Sequence, residues 1–253
     1  MMKFAEIYKG FIAFVYPKKC VCCKELIEEN EDLCEKCKKN IERVGEKICL
    51  WCGHEQKYCE CKFHVFRFRQ IISPFINTGL AKQGFYDFKF RNRKANSYFF
   101  SKEMSNLVLK YYSNVKFDAV CPVPMHYFRK AKRGYNQSEI LADEISSIIG
   151  VKTDKSIIFS KKKKVQHEIK GISMRYSNIK GKYYYKRKTN YENVLLVDDI
   201  KTTGATLDEC ARQLMLAGVN NVYCVTALIS NPWLKKSQSK GIIKNKSGDK
   251  NGN

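Results

Sequence analysis

VLLVDDIKTTGAT, residues 194–206, joins a wholly apolar run to two carboxylates and then to a loop of hydroxyls and a glycine with almost no bulk. Val194 to Val197 shows no polar alternation, which is the pattern of a strand buried on both faces of a parallel sheet. Asp198 and Asp199 follow at its carboxyl end, where open parallel sheets bind ligands. Lys201, Thr202, Thr203, Gly204, Ala205 and Thr206 then lead directly into a helical pattern. Free N–H groups, the helix dipole and three hydroxyls make that loop a cradle for an anion such as phosphate.

Outward from this stretch, strand and helix patterns alternate. Residues 117–124 (FDAVCPVP) and 221–229 (NVYCVTALI) read as strands, and 63–75 (FHVFRFRQIISPF) does so by its period of two. Helical spacing covers 79–95, 97–112, 136–149 and 205–218; a short apolar run stands at 156–160, and 161–182 has no sustained period. The segment between 124 and 136 reads as a loop rich in Lys and Arg. The expected fold class is α/β, a parallel sheet flanked by helices.

The 253 residues carry a formal charge of +22. Residues 152–190 hold 13 Lys and Arg against Asp154 and Glu168, a net of +11, so half the excess is concentrated there. Such concentration suits a polyanionic partner, nucleic acid or a phosphate-rich small molecule, although lysine-rich surfaces also keep proteins soluble. No run of uncharged apolar residues is long enough for a membrane span. FAEIYKGFIAFVY, residues 4–16, carries Glu6 and Lys9 and lacks a small-residue cleavage site behind it, so 1–16 reads as an amphipathic helix of a cytoplasmic protein. Residues 231–253 form a basic tail too polar to pack, expected to be disordered.

Nine of the twelve cysteines lie between Cys20 and Cys61. They are spaced Cys20-x-x-Cys23, Cys34-x-x-Cys37, Cys49-x-x-Cys52 and Cys59-x-Cys61, with Cys22 extra. Two-residue gaps let both thiolates of a turn face one tetrahedral ion, so the block 17–62 reads as a double zinc ribbon with one or two structural zinc ions. His54 and His64 are alternative ligands at the tighter last pair, and Cys22 an alternative in the first. Closed four-ligand sites leave no open position for catalysis. Cys121, Cys210 and Cys224 read as buried structural thiols.

Several architectures place acids after an apolar strand. A nucleoside triphosphate site would need G-x-x-x-x-G-K-[ST], and a dinucleotide site G-x-G-x-x-G; neither occurs. A phospho-receiver places its acids near the start of its domain, whereas only 54 residues follow Asp199. A ribose 5-phosphate fits: the loop takes the phosphate, and the acids accept from ring hydroxyls, directly or through Mg²⁺. Along its full length VLLVDDIKTTGAT resembles the phosphoribosyl pyrophosphate signature of type I phosphoribosyltransferases.

A second block narrows the resemblance. Asp118, Pro122, Val123 and Pro124, then Arg129, then Arg133-Gly134-Tyr135-Asn136-Gln137 with Leu141 and Ala142, resemble the D-x-x-x-P-V-P…R-x-x-x-R-G-[FY]-N-Q-x-x-x-L-A block of the ComF family. Gln166, Arg175, Asn178 and Gly181 resemble its Q…R-x-x-N…G segment, and the cysteine block its double zinc ribbon. The resemblance implies a phosphoribosyltransferase-like domain over 63–230, with Asp198 and Asp199 catalytic. It also implies that phosphoribosyl pyrophosphate with magnesium is held by residues 201–206 together with Val123, Pro124, Arg129, Arg133, Gln137 and Arg175. Arg175 would close a lid over 161–180, and Arg129, Lys132 and Arg133 would neutralise the pyrophosphate; Asn136 reads equally as a helix cap. Further implications are a role in natural transformation, single-stranded DNA and competence-machinery proteins as partners, and a place in the cytoplasm beside the inner-membrane uptake machinery. No acceptor pocket is legible, so a transferase and a non-catalytic DNA-binding or adaptor protein regulated by phosphoribosyl pyrophosphate both stand. For the DNA reading, the alternating aromatics and cations of FHVFRFR and GFYDFKFRNRK are the candidate stacking surfaces, and a half-buried strand explains the first equally well.

Overall fold

A computed structural model describes residues 17–59, 61, 66–91, 93, 95–161, 179 and 181–231. The expected helix at 1–16, Gln166, Arg175 and Asn178 of the expected lid, His64, and all of the tail but Asn231 lie outside them. The helices are α1 (Glu35–Asn40), α2 (Gly79–Phe90), α3 (Asn96–Tyr111), α4 (Tyr127–Arg133), α5 (Gln137–Ile149) and α6 (Ala205–Ala217). The strands are β1 (Gln70–Ile72), β2 (Phe75–Ile76), β3 (Ala119–Pro122), β4 (Ile158–Ser160), β5 (Tyr183–Tyr185), β6 (Asn193–Lys201) and β7 (Asn221–Ile229).

The main sheet runs β1-β7-β6-β3 with every pairing parallel, and β2 also pairs with β7. This is the α/β fold that the strand and helix alternation implies. Successive residues of β6 point into two different cores. Val194 and Leu196 pack with Leu207, Cys210, Ala211 and Leu214 of α6. Leu195 and Val197 pack with Phe85 and Phe88 of α2, Phe100 and Met104 of α3, and Leu141 and Ile145 of α5. That two-sided burial is why the run contains no polar residue before Asp198. Cys121, Cys210 and Cys224 are fully buried, and burial pushes all three thiols up from their ordinary range.

Two local readings are corrected, and one strand is added. Within the expected strand 63–75, the described residues form two short strands, Gln70–Ile72 and Phe75–Ile76, which keep one register against β7 (Gln70 opposite Tyr223, Phe75 opposite Leu228). Pro74 interrupts them, since it has no N–H for the ladder; the gap is bridged by Ser73 Oγ, 2.5 Å from Thr226 Oγ1. The basic segment after β3 is not all loop, because Tyr127–Arg133 is helical, capped by His126. Residues 183–185 form β5, antiparallel to β4, so the two strands flank 162–178 in sequence.

The cysteine block is packed into the domain. Cys20, Cys22, Leu33, Cys37 and Ile41 belong to the same apolar core as α2 and α3. Asn96 Nδ2 donates to the carbonyls of Val21 and Gly84, and Lys24 pairs with buried Asp87 at 2.9 Å. Farther along, Val44 N–H donates to Pro74 O, Ile76 N–H to Glu42 O, and Ile71 N–H to Leu50 O at 2.7 Å. The block thereby occupies the unpaired groups of the β1/β2 edge, which would otherwise be open to another chain.

Candidate functional site

The sheet's carboxyl edge gathers the site. β6 extends two residues beyond the aspartates, so both are held by a paired strand rather than by a loop. Asp198, 8% exposed, accepts from Ser138 Oγ at 3.0 Å and from Asp199 N–H at 2.9 Å. Burial, reinforced by the charge of Asp199, pushes its carboxyl up to about 7 against the pull of those donors and of Lys89. Asp199 is half-buried, pairs with Lys89 Nζ at the end of α2, and accepts from Ile200 N–H. A single cation thus faces the aspartate pair from α2.

The loop follows at once. Lys201 is buried, and burial lowers its ammonium to about 8. Thr202 is exposed, Thr203 and Thr206 are partly so, and Thr203 Oγ1 lies 3.4 Å from the Ala205 N–H. Gly204 caps α6 with φ +84° and no side-chain cap, a geometry in which N–H groups of the first turn can donate to a ligand. A Cβ at Gly204 would come within 2.9 Å of the Phe66 ring. Gly204→Ala is expected to cost about 1–2 kcal/mol from its left-handed backbone alone and to shift the loop. Urea unfolding measures the first effect and ligand titration the second.

The remaining predicted residues fall into a shell around this centre. Val123 is buried and tied at both ends, its N–H to Val197 O at 2.8 Å and its carbonyl to Asn136 Nδ2 at 3.1 Å; Pro124 follows, partly exposed. Asn136 caps α5 through Ser138 N–H. Gln137 is fully buried, accepting from Arg133 at 2.8 Å and donating to Lys89 O at 3.5 Å, so it ties Arg133 to Lys89. Arg129 is exposed on α4, and its charge, after burial, helps lower the Lys182 ammonium. The structure thus brings together Asp198, Asp199, the 201–206 loop, Val123, Pro124, Arg133 and Gln137. Lys89, Ser138 and Lys182 were not legible in advance: the first is one of several lysines in a basic segment, the second one of many serines.

The aromatic alternation divides between core and surface. Phe66 and Phe68 stack at 4.6 Å against the core side of the loop, and Phe85 and Phe88 are buried. Tyr86 and Phe90 remain about half exposed, 4.7 Å apart, with the Arg133 guanidinium 5.0 Å from the Phe90 ring. Beside them α4 presents Tyr127, 74% exposed, and Phe128 among Arg129, Lys130, Lys132 and Arg133.

The eight paired cysteines form two cages, Cys20/Cys23/Cys34/Cys37 and Cys49/Cys52/Cys59/Cys61, each with all four sulfurs within 4.8 Å. The Cys23–Cys34 and Cys49–Cys61 sulfurs stand 3.6 and 3.5 Å apart, close to the roughly 3.8 Å edge of a tetrahedron of thiolates around zinc. The donors and their spacing fit structural zinc. Although burial raises them, backbone N–H groups bring Cys20 and Cys49 down to about 7, so each cage has one sulfur ready to ionise. Cys22 stands outside the first cage, in the core, and His54 outside the second, donating from Nε2 to Ser230 O at 3.1 Å.

Residues 11–62 match the family model described as a double zinc ribbon domain. Competence protein F of Haemophilus influenzae is 27% identical over 227 residues, covering 81% of this chain and 93% of that protein. Competence protein ComFC of Bacillus subtilis is 27% identical over 208 residues, covering 76% and 82%. Among solved structures, an adenine phosphoribosyltransferase from Saccharomyces cerevisiae overlaps 55% of this chain and 72% of its own at 14% identity and a TM-score of 0.35. No helix among the described residues is long and apolar enough to cross a membrane. The chain thus carries a double zinc ribbon followed by a parallel α/β sheet, and over most of its length it is similar to competence proteins F and ComFC.

Proposed function

We propose that the chain binds phosphoribosyl pyrophosphate at the β6–α6 junction and transfers its phosphoribosyl group to an acceptor, in a protein serving DNA uptake. One observation carries this reading: two carboxylates on a rigid strand run without a gap into a glycine-turned loop at a helix N-terminus. A 5-phosphate in the loop accepts from the first N–H groups of α6. The ribose hydroxyls then donate to Asp198 and Asp199, while Arg133 and Arg129 neutralise the pyrophosphate from the rim. Magnesium, held through the same carboxylate oxygens, would stabilise the departing pyrophosphate.

A second reading rests on the exposed Tyr86, Phe90, Tyr127 and Phe128 among cations at the same rim. There single-stranded DNA would stack, and phosphoribosyl pyrophosphate would act as a regulator. Labelled phosphoribosyl pyrophosphate separates the two. Release of pyrophosphate above the buffer rate when nucleobases or amines are supplied is the expected result. Binding without release under every acceptor sinks the transferase. Loss of salt-sensitive oligonucleotide affinity in Phe90→Ala, with ligand binding kept, supports the DNA face.

A further inference from the structure

The second cysteine cage lies at the foot of the anion loop, and a short run of hydrogen bonds joins them. Within the cage turn, Cys49 N–H donates to His54 O at 2.8 Å and Gly53 N–H to Cys49 O at 2.7 Å. Gly53 has φ +76°, and a Cβ there would meet Ile229 Cδ1 at 3.1 Å, so the turn sits directly on the end of β7. From this turn His54 Nε2 donates to Ser230 O at 3.1 Å, and Ser230 N–H donates to Lys201 O at 2.8 Å. Asn77 Nδ2, donating to Ser230 Oγ at 3.1 Å, holds Ser230 from the far side. Lys201 is at once the last residue of β6 and the first of the loop. The contacts of the first cage described above go to α2 and α3 instead, so the two cages have different loads.

We propose that the second cage is a strut for the loop and that His54 is the positioning residue that passes its geometry to Lys201. The proposal rests on reading 201–206 as a phosphate loop. A carbonyl can only accept, so His54 must carry its proton on Nε2. The bond is neutral and needs a side chain of the right reach, which glutamine supplies and alanine does not. Metal at Cys49, Cys52, Cys59 and Cys61 and anion at residues 202–205 are then coupled: ordering either one lowers the cost of ordering the other.

The test compares full-length, zinc-loaded wild type with His54→Ala, His54→Gln and Cys61→Ser. It reads hydrogen exchange at the Thr202 to Ala205 amides, zinc content, and affinity for phosphoribosyl pyrophosphate. Losing one neutral hydrogen bond is expected to speed exchange by about fivefold to tenfold in His54→Ala and to weaken the ligand by a similar factor. Zinc per chain should stay at the wild-type value, and His54→Gln should restore both readings. Cys61→Ser should speed the same amides. Unchanged exchange in His54→Ala, or faster exchange only together with zinc loss, overturns the strut. Failure of wild type to bind the ligand would overturn the proposed function instead, and the exchange data would still decide the strut.

Discussion

Replacing Asp198 with asparagine is expected to stabilise the ligand-free protein and to remove the proposed binding of phosphoribosyl pyrophosphate. The carboxyl of Asp198 is pushed up from its ordinary carboxylate range to about 7, first by burial and then by Asp199. A raised carboxyl favours the protonated folded state. Its contribution to stability is therefore full below about pH 4 and is lost as pH rises through 7. Asparagine keeps an oxygen to accept from Ser138 and from the Asp199 N–H while removing the charge. The gain over wild type should be on the order of 2–4 kcal/mol at pH 8 and should shrink toward zero near pH 4. Urea midpoints at the two pH values measure it; an equal gain at both would sink the argument. Binding moves the opposite way, because the ribose hydroxyls and magnesium need the charged oxygen. A loss on the order of 100-fold is expected from two charged contacts, with zinc content unchanged. A wild-type affinity in Asp198→Asn would remove the site from β6.

The second large effect concerns the first cage. Cys37→Ser is expected to lower Tm by about 10–20 °C, as the loss of roughly 5 kcal/mol implies for a domain of this size, and to halve the bound zinc. Structural zinc contributes about 10–16 kcal/mol in isolated modules, as much as the whole stability of an ordinary domain. Here Cys37 also lines the core shared with α2 and α3, so removing the metal opens that core as well as the ribbon. A change in zinc content with Tm intact would mean that the core closes without the cage.

Much of this architecture could be read locally. The β6 strand, its acids and the loop are adjacent in sequence, so their order alone dictates the turn from strand to helix. The knuckles follow from the Cys-x-x-Cys and Cys-x-Cys spacings, whereas which knuckles share a cage comes from the structure; among the described residues Cys22 and His54 stand outside both cages, and His64 lies outside those residues. The misreadings were also local in origin. α4 has no buried residue, hence no apolar stripe to betray it; β5, which no pattern announced, is only three residues long. FHVFRFR alternates like a strand, yet Arg67 leaves the ladder to bond Asp208 in the first turn of α6 through both its N–H and its guanidinium, each at 2.6 Å.

The sequence by itself determined the parallel strand, the carboxylate pair, the glycine-turned loop after it and the eight thiols, because each depends on residues within one turn or one strand of each other. Only the tertiary structure decided that Lys89 faces Asp199 across 110 residues of chain, that Ser138 reaches Asp198 across 60, and that His54 reaches Ser230 across 176. It alone placed the ribbon along the β1/β2 edge. The physical reason is the same in each case: a lysine, a serine or a histidine acquires its role from whichever distant group packing brings within hydrogen-bond reach, and no periodicity along the chain encodes that partner.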